Sequence, residues 1–256
     1  MTSASPDAFS VANRVVIVTG ATKGLGRAFA TGLAAAGARV VVSSRKQGGC
    51  DEVAAEIMAS GGDALGLQAH VGEWDSLPAF VDAVLAHYGR IDGLVNNAGI
   101  SPAFTGIADM TELYWDKVMS TNVKGPLRLS ALVAPHMRDS GGGAIVNVAS
   151  IGGYRGHPFN SHYSASKAAL INLTQSMAAE WADWGVRVNS ISPGPFRTTL
   201  LEGMTRSAPD AAESLMATTR QHRFADPAEG VGVVRFLLSD ASSFVTGADY
   251  EISGGR

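Results

Sequence analysis

The chain has 256 residues, of which 46% are apolar and 17% charged, and its net charge is −3 at pH 7. That length suits one α/β domain, and the composition provides for a large core and excludes a disordered chain. The small negative charge excludes long-range attraction to nucleic acid or an anionic membrane, and no apolar run approaches the ~18 residues of a membrane span.

Residues 1–13 have neither a basic start nor an apolar stretch, so they are not a signal peptide and read as a disordered or extended tail. Residues 14–256 read as one domain. Arg14-Val15-Val16-Ile17-Val18 is a β-branched run ended by Thr19-Gly20, the pattern of a strand buried on both faces. Gly20-Ala21-Thr22-Lys23-Gly24-Leu25-Gly26 follows, then a helix to about Ala36 and a second strand from Arg39 to Val42. Strand, glycine turn, helix and strand within ~30 residues are the signature of a dinucleotide-binding unit. Gly20 permits the tight turn, Gly24 lets backbone N–H groups reach a pyrophosphate, and Gly26 lets helix and strand pack closely.

The end of the second strand indicates which cofactor fits. NAD calls for an acidic residue there, ~20 residues past the glycines, on the ribose 2′-OH. The chain has Ser43-Ser44-Arg45-Lys46 instead. Arg45 can clamp a 2′-phosphate and Lys23 can add charge from the glycine loop, which favours NADP(H) and leaves NAD(H) open.

Alternation continues with a helix over Glu52–Ser60, a strand over Ala64–Ala69, a helix over Trp74–His87 and a strand over Ile91–Val95. The lone Cys50 falls in a loop or first helical turn and reads as an inert thiol, which with the absent leader suggests a cytoplasmic protein. Asn96-Asn97-Ala98-Gly99 can line a crevice beside the strand ends. Thr111–Met137 is a long helical stretch interrupted near Gly125-Pro126, and Gly143–Ala149 is a strand ending in Ser150. A helix from about Ser161 to Trp184, a strand over Val186–Ile191 and Ser192-Pro193-Gly194-Pro195 follow. Residues 195–224 have no clean period and read as a substrate lid. A helix over Pro227–Ser239 and a strand over Ala248–Ile252 close the chain. About seven alternations with right-handed crossovers predict one doubly wound α/β domain, a parallel sheet covered by helices on both faces.

Tyr163 and Lys167 are four apart on the predicted helix and share a face. A free tyrosine titrates near pH ~10; a neighbouring ammonium lowers that and makes the phenol a usable acid or base near neutrality. Gly20, Asn96 and Ser150 directly follow predicted strands, so they meet Tyr163 at the carboxyl edge of the sheet. Ser150 can polarise a carbonyl while the phenol gives the proton. No Cys/His cluster suggests a metal.

These pieces together resemble the classical short-chain dehydrogenase/reductase family over nearly the whole chain. The motifs are Thr19-Gly20-Ala21-Thr22-Lys23-Gly24-Leu25-Gly26, Asn96-Asn97-Ala98-Gly99, Asn122, Ser150, Tyr163 with Lys167, and Pro193-Gly194. The resemblance implies a tetrad of Asn122, Ser150, Tyr163 and Lys167, with Lys167 holding the nicotinamide ribose and Asn122 anchoring a water. It implies cofactor contacts from the glycine loop, Ser44, Arg45, Lys46, His70, Val71, Asn97, Ala98, Gly99, Pro193, Gly194, Phe196 and Thr198. His70-Val71 departs from the family's usual aspartate beside the adenine; a neutral imidazole still donates one bond. Candidate substrate walls are Gly152, Tyr154, His157, Phe159, Phe196, Leu200 and Met204, which suit a medium-sized ketone or secondary alcohol with apolar parts. The resemblance also implies a homo-oligomer, dimer or tetramer, with Trp181 and Trp184 either at its interface or in the core. A nucleotide-binding sensor or scaffold on the same fold, or an enoyl reductase or epimerase, are the competing readings.

Overall fold

The computed structural model describes residues 7–102, 106–156, 158, 160–198 and 209–255. Its strands are Val15–Thr19 (β1), Arg39–Ser44 (β2), Asp63–Gln68 (β3), Gly93–Asn96 (β4), Gly143–Val148 (β5), Val186–Pro193 (β6) and Asp249–Ile252 (β7). They form one seven-stranded parallel sheet in the order β3-β2-β1-β4-β5-β6-β7. The helices are Gly24–Ala35 (α1), Gln47–Ala59 (α2), Leu77–Tyr88 (α3), Glu112–Met119 (α4), Gly125–Asp139 (α5), Ser161–Trp181 (α6), Pro209–Ala217 (α7) and Val231–Leu238 (α8).

The unbroken apolar run of β1 is explained by its two covered faces. Successive side chains point to opposite sides of a sheet. Val16 and Val18 join a core with Phe29 and Leu33 of α1, Val53 of α2 and Leu237 of α8. Val15 and Ile17 join another with Leu77 of α3, Leu129 of α5 and Met177 of α6. Trp181 lies in that second core at 7% exposure, with Trp184 stacked on it at 6.1 Å. Within the chain the pair therefore packs on the core.

The chain runs outward from β1 to β2 and β3, then returns to the other side of β1 as β4. That reversal opens a crevice at the carboxyl ends of β1 and β4, where ligands of such sheets sit.

Two local expectations change. The second helix begins at Gln47 rather than Glu52, because Gly48 and Gly49 sit inside its first turn. Gln47 ties that turn to β3: its amide donates to the Gly66 carbonyl at 2.9 Å and accepts from the Gln68 N–H at 2.9 Å. Cys50 accordingly lies within α2 and is fully buried. At Gly125-Pro126 the helix is not broken. A π turn, Ser120–Lys124, leads straight into α5, with Pro126 in the first turn where no N–H is required. Gly125 is needed for close approach, since a Cβ there would stand 2.5 Å from the Val71 carbonyl.

Residues 7–13 are docked rather than extended as a tail. Val11 is fully buried, the Phe9 ring lies 6.1 Å from Phe236, and the Phe9 carbonyl accepts from Arg235 Nε at 2.9 Å. The expected lid holds α7, and residues 199–208 lie outside the described residues. The two ends of that segment are clipped together by main-chain bonds, Arg197 N to Ala225 O at 2.8 Å and Ala225 N to Pro195 O at 3.1 Å.

Candidate active site

The glycine turn after β1 is stitched to the loop after β4. Gly20 has φ +64°, a conformation that favours glycine. The Asn97 side-chain amide donates to the carbonyls of Thr19 at 2.9 Å and Gly20 at 3.3 Å. Thr19 Oγ1 accepts from the N–H groups of Asn97 and Ala98, each at 3.0 Å. A Cβ at Gly26 would stand 2.3 Å from the Gly20 carbonyl, so α1 can only approach the turn without one. No side chain caps the first turn of α1. Its free N–H groups face the loop, as anion binding requires.

A cleft of about 860 Å³ runs from this turn across the ends of β2 and β3. It is lined by eleven of the residues expected to hold a cofactor: Gly20, Thr22, Lys23, Gly24, Ser44, Arg45, Lys46, His70, Val71, Ala98 and Gly99. Thr22 Oγ1 and Ser44 Oγ are 3.2 Å apart, which joins the glycine loop to the end of β2. The shape and donor set fit a dinucleotide: Cβ atoms at Gly20 or Gly26 would collide with its cradle, and three cations border the ribose end. Sequence reasoning missed Arg27, Lys117 and Thr121 on this wall. Arg27 lies one turn beyond Lys23 on α1, a spacing that would have found it. Lys117 and Thr121 arrive from α4 and the π turn, and nothing local in the sequence marks them.

A second cleft, of about 530 Å³, shares Gly99 and Ile100 with the first. Ser150, Tyr163 and Lys167 line it, with Leu25, Asn97, Pro193, Gly194, Phe196 and Thr198. Ser150 caps the short turn Ile151–Gly153, its Oγ accepting from Gly152 N–H at 3.0 Å, and it hydrogen bonds with the Tyr163 phenol. Lys167 is 4% exposed; its Nζ donates to the Val148 carbonyl at 2.7 Å and lies 5.6 Å from the Tyr163 ring centre. Asn122 sits behind them and lines neither cleft. Its Oδ1 accepts from Ile100 N–H at 2.8 Å, and its Nδ2 donates to Ile100 O at 2.9 Å and Ser166 Oγ at 3.0 Å. It ties the β4 loop to α6, so any water it holds falls to its main-chain carbonyl or its remaining Oδ1 lone pair.

A match to the family model for short chain dehydrogenases covers residues 14–208. The human dehydrogenase/reductase SDR family member 4 is 39% identical over 96% of this chain and 88% of its own. A crystal structure of a short-chain type dehydrogenase/reductase from Mycobacterium marinum superposes with a TM-score of 0.90 at 35% identity, covering 97% of both chains. A 3-oxoacyl (acyl-carrier-protein) reductase from Agrobacterium tumefaciens, solved with NADP bound, gives 0.91 at 30% identity over 97% of this chain and 96% of that one. The chain belongs to the short-chain dehydrogenase family. It is therefore a member of an oxidoreductase family whose fold binds a nicotinamide cofactor.

In this short-chain dehydrogenase the net shift of the phenol is upward, opposite to the one expected from its lysine neighbour. Burial pushes Tyr163 above the ordinary tyrosine value, with the Ser150 hydrogen bond opposing it. Burial also pushes Lys167 down to about 8. Spacing alone had predicted the charge effect; it could not show how deeply the pair is sunk. The substrate wall differs too. Tyr154 is 47% exposed and bonds Asp249 Oδ2 at 2.5 Å, away from the second cleft. Burial of the phenol, and then that carboxylate, push Tyr154 up to about 12. Gly152 lies close behind the pair, since a Cβ there would meet Ser150 Oγ at 3.3 Å and Tyr163 Cε1 at 3.6 Å. Phe196 is on the wall, 6% exposed. His157, Phe159, Leu200 and Met204 lie outside the described residues. Leu215 of α7 is a wall residue the sequence reading missed, as a helix without a clean period concealed it. Among the described residues no group of His, Cys, Asp and Glu could hold a metal ion, and no helix is long and apolar enough to cross a membrane.

Proposed function

We propose that this protein is an NADP(H)-dependent oxidoreductase that interconverts a ketone and a secondary alcohol. The observation that carries the reading is the grouping of Ser150, Tyr163 and Lys167 at one end of a continuous two-part cleft whose other end is bordered by Lys23, Arg45 and Lys46. When bound, the nicotinamide supplies or takes the hydride. The rest falls to this chain. Ser150 orients the substrate oxygen by hydrogen bonding. Tyr163 gives that oxygen a proton in reduction and takes it back in oxidation. Lys167, mostly protonated at pH 7 because its value is about 8, favours the departure of the phenolic proton. Val148, Phe196 and Leu215 supply an apolar wall for the substrate's hydrocarbon parts.

The relative solved with NADP bound supports the phosphate-carrying cofactor. So do the cations around Ser44, where a carboxylate would repel a 2′-phosphate. We place the protein in the cytoplasm as a dimer or tetramer, acting on small carbonyl compounds or alcohols without nucleic-acid or membrane partners, with residues 195–224 covering the substrate.

Two measurements test the reading. In fluorescence titrations, NADPH is expected to bind at least tenfold more tightly than NADH, since charge-assisted bonds to a phosphate are worth about 1.5–3 kcal/mol. Tighter NADH binding would reverse the cofactor assignment. A panel of apolar ketones, followed by nicotinamide absorbance, is expected to contain members reduced with NADPH. Turnover only of enoyl substrates or epimerisable sugars would replace the reaction class.

A further inference from the structure

Tyr154 lies outside both clefts, and its phenol reaches across to the last strand instead. There it donates to Asp249 Oδ2 at 2.5 Å, with Ser192 in hydrogen-bonding reach of the same phenol. The carboxylate is held in turn by two hydroxyls of β6. Ser190 Oγ donates to Asp249 Oδ1 at 2.6 Å, and Ser192 Oγ donates to Oδ1 at 3.0 Å and to Oδ2 at 2.9 Å. Both serines are fully buried, and Ser190 is paired with Asp249 in the β6–β7 register. The anchor that Tyr154 grips is therefore built into the sheet.

Tyr154 is also the residue that ends the short turn Ile151–Gly153. That turn sets the Ser150 hydroxyl. A serine oxygen has one proton to donate and two lone pairs. Gly152 N–H takes one of those lone pairs at 3.0 Å, so the place of the turn fixes the directions left for the proton and the other pair. The turn holds two glycines, Gly152 and Gly153, and glycine restrains its own backbone least. Neighbours must hold it. On one side Gly153 packs against α6, where a Cβ would stand 3.0 Å from Ala168 N. On the other, Tyr154 ties it to β7 through Asp249.

We infer that Tyr154 is a positioning residue: gripped by Asp249, it pins the Ile151–Gly153 turn so that the Ser150 hydroxyl is aimed at the reacting oxygen. This rests on the role given to Ser150 in the proposed reaction. Because Tyr154 lines neither cleft, its effect passes through Ser150. Loss of the phenol oxygen then lowers kcat and leaves NADPH affinity in place. An error of about 1 Å in a catalytic group can cost ~10²-fold, and a turn still packed on α6 is expected to lose less, about tenfold.

The test is a double-mutant cycle on the full chain, with any ketone that proves active. Ser150→Ala is expected to lower kcat by about 10²-fold, as removal of one donor to a developing oxyanion does. Tyr154→Phe keeps the ring, removes the oxygen, and is expected to lower kcat about tenfold with NADPH binding within about twofold of wild type. In the Ser150→Ala background the same change is expected to cost less than about twofold, because the group it aims is gone. A general structural role would lower turnover equally in both backgrounds, and that result overturns the inference. So does a kcat within about twofold of wild type for Tyr154→Phe alone. A second measurement needs no substrate. Amide exchange across residues 150–154 reports the bonds from Gly152 and Gly153 N–H to Ser150, and it is expected to quicken about fivefold in Tyr154→Phe. An unchanged rate overturns the inference as well. Should wild type turn over no ketone, the proposed reaction falls, and the exchange rate alone decides whether Tyr154 holds the turn. Should Ser150→Ala match wild type, the role of Ser150 falls and the inference with it, a failure visible without Tyr154→Phe and so distinct from an idle Tyr154.

Discussion

Tyr163→Phe is expected to lower kcat for ketone reduction by about 10²–10⁴-fold, the usual share of acid–base assistance, with little change in NADPH affinity. The substitution removes one oxygen from a ring that keeps its place. In the wild-type protein that oxygen hydrogen bonds with Ser150, and its burial holds it protonated, the form needed to donate to a developing alkoxide. Phenylalanine leaves Ser150 able to bind the substrate oxygen but without a proton to give. Loss should therefore fall on kcat and kcat/KM together, the sign of an interaction made only in the transition state. Steady-state kinetics on any ketone found active would check it, with NADPH fluorescence as the control for binding. Turnover within threefold of wild type would remove Tyr163 from the chemistry and reopen the sensor or scaffold reading.

The parts of this molecule that were legible in the sequence share a physical reason. β1 declared itself because both faces are covered, which leaves five consecutive buried residues from Val15 to Thr19. The glycine turn declared itself because its geometry tolerates no Cβ at Gly20 or Gly26, so chemistry constrains residue type directly. Tyr163 and Lys167 were visible because a helix converts a spacing of four into proximity. What stayed hidden depends on contacts between distant segments. Asn96, Asn147 and Thr174 form a buried polar chain beneath the site, with Asn96 Nδ2 to Asn147 Oδ1 at 2.9 Å and Asn147 Nδ2 to Thr174 Oγ1 at 2.8 Å. Those residues come from β4, β5 and α6, and no local pattern links them. Asn122, expected to anchor a water, also has its amide engaged in joining Ile100 to Ser166, which no local pattern shows. The direction of the Tyr163 shift failed for the same reason: burial is a property of the assembled fold.

Lys167→Met is expected to disable the enzyme while removing a pH-dependent strain on its stability. Lys167 is buried, and desolvation lowers it from 10.5 to about 8 in the folded protein. Between those values the unfolded chain binds more protons than the native one, so native stability rises with pH across the interval. Below about pH 8 both states are protonated, and the folded protein carries the full cost of a buried charge. From the size of the shift that cost is about 3 kcal/mol. Methionine fills similar space and carries no charge. At pH 7 its gain is offset by the Val148 carbonyl, which loses its donor at 2.7 Å; leaving such a group unpaired costs about 1–3 kcal/mol. The informative quantity is therefore the difference between the two proteins as pH changes. Tyrosines held above their usual value, such as Tyr154 at about 12, withdraw stability from both proteins above pH ~10, and that effect cancels in the difference. Urea denaturation between pH 7 and 10 should show wild type gaining on Lys167→Met by about 1.4 kcal/mol per pH unit above pH 8. A difference that stays constant with pH would mean the ammonium is solvated, and the buried charge proposed to assist Tyr163 would then be lost as well. The charge that destabilises the fold at neutral pH is the same one that helps the phenol release its proton, which is why a neutral residue that packs better at this position is expected to be inactive.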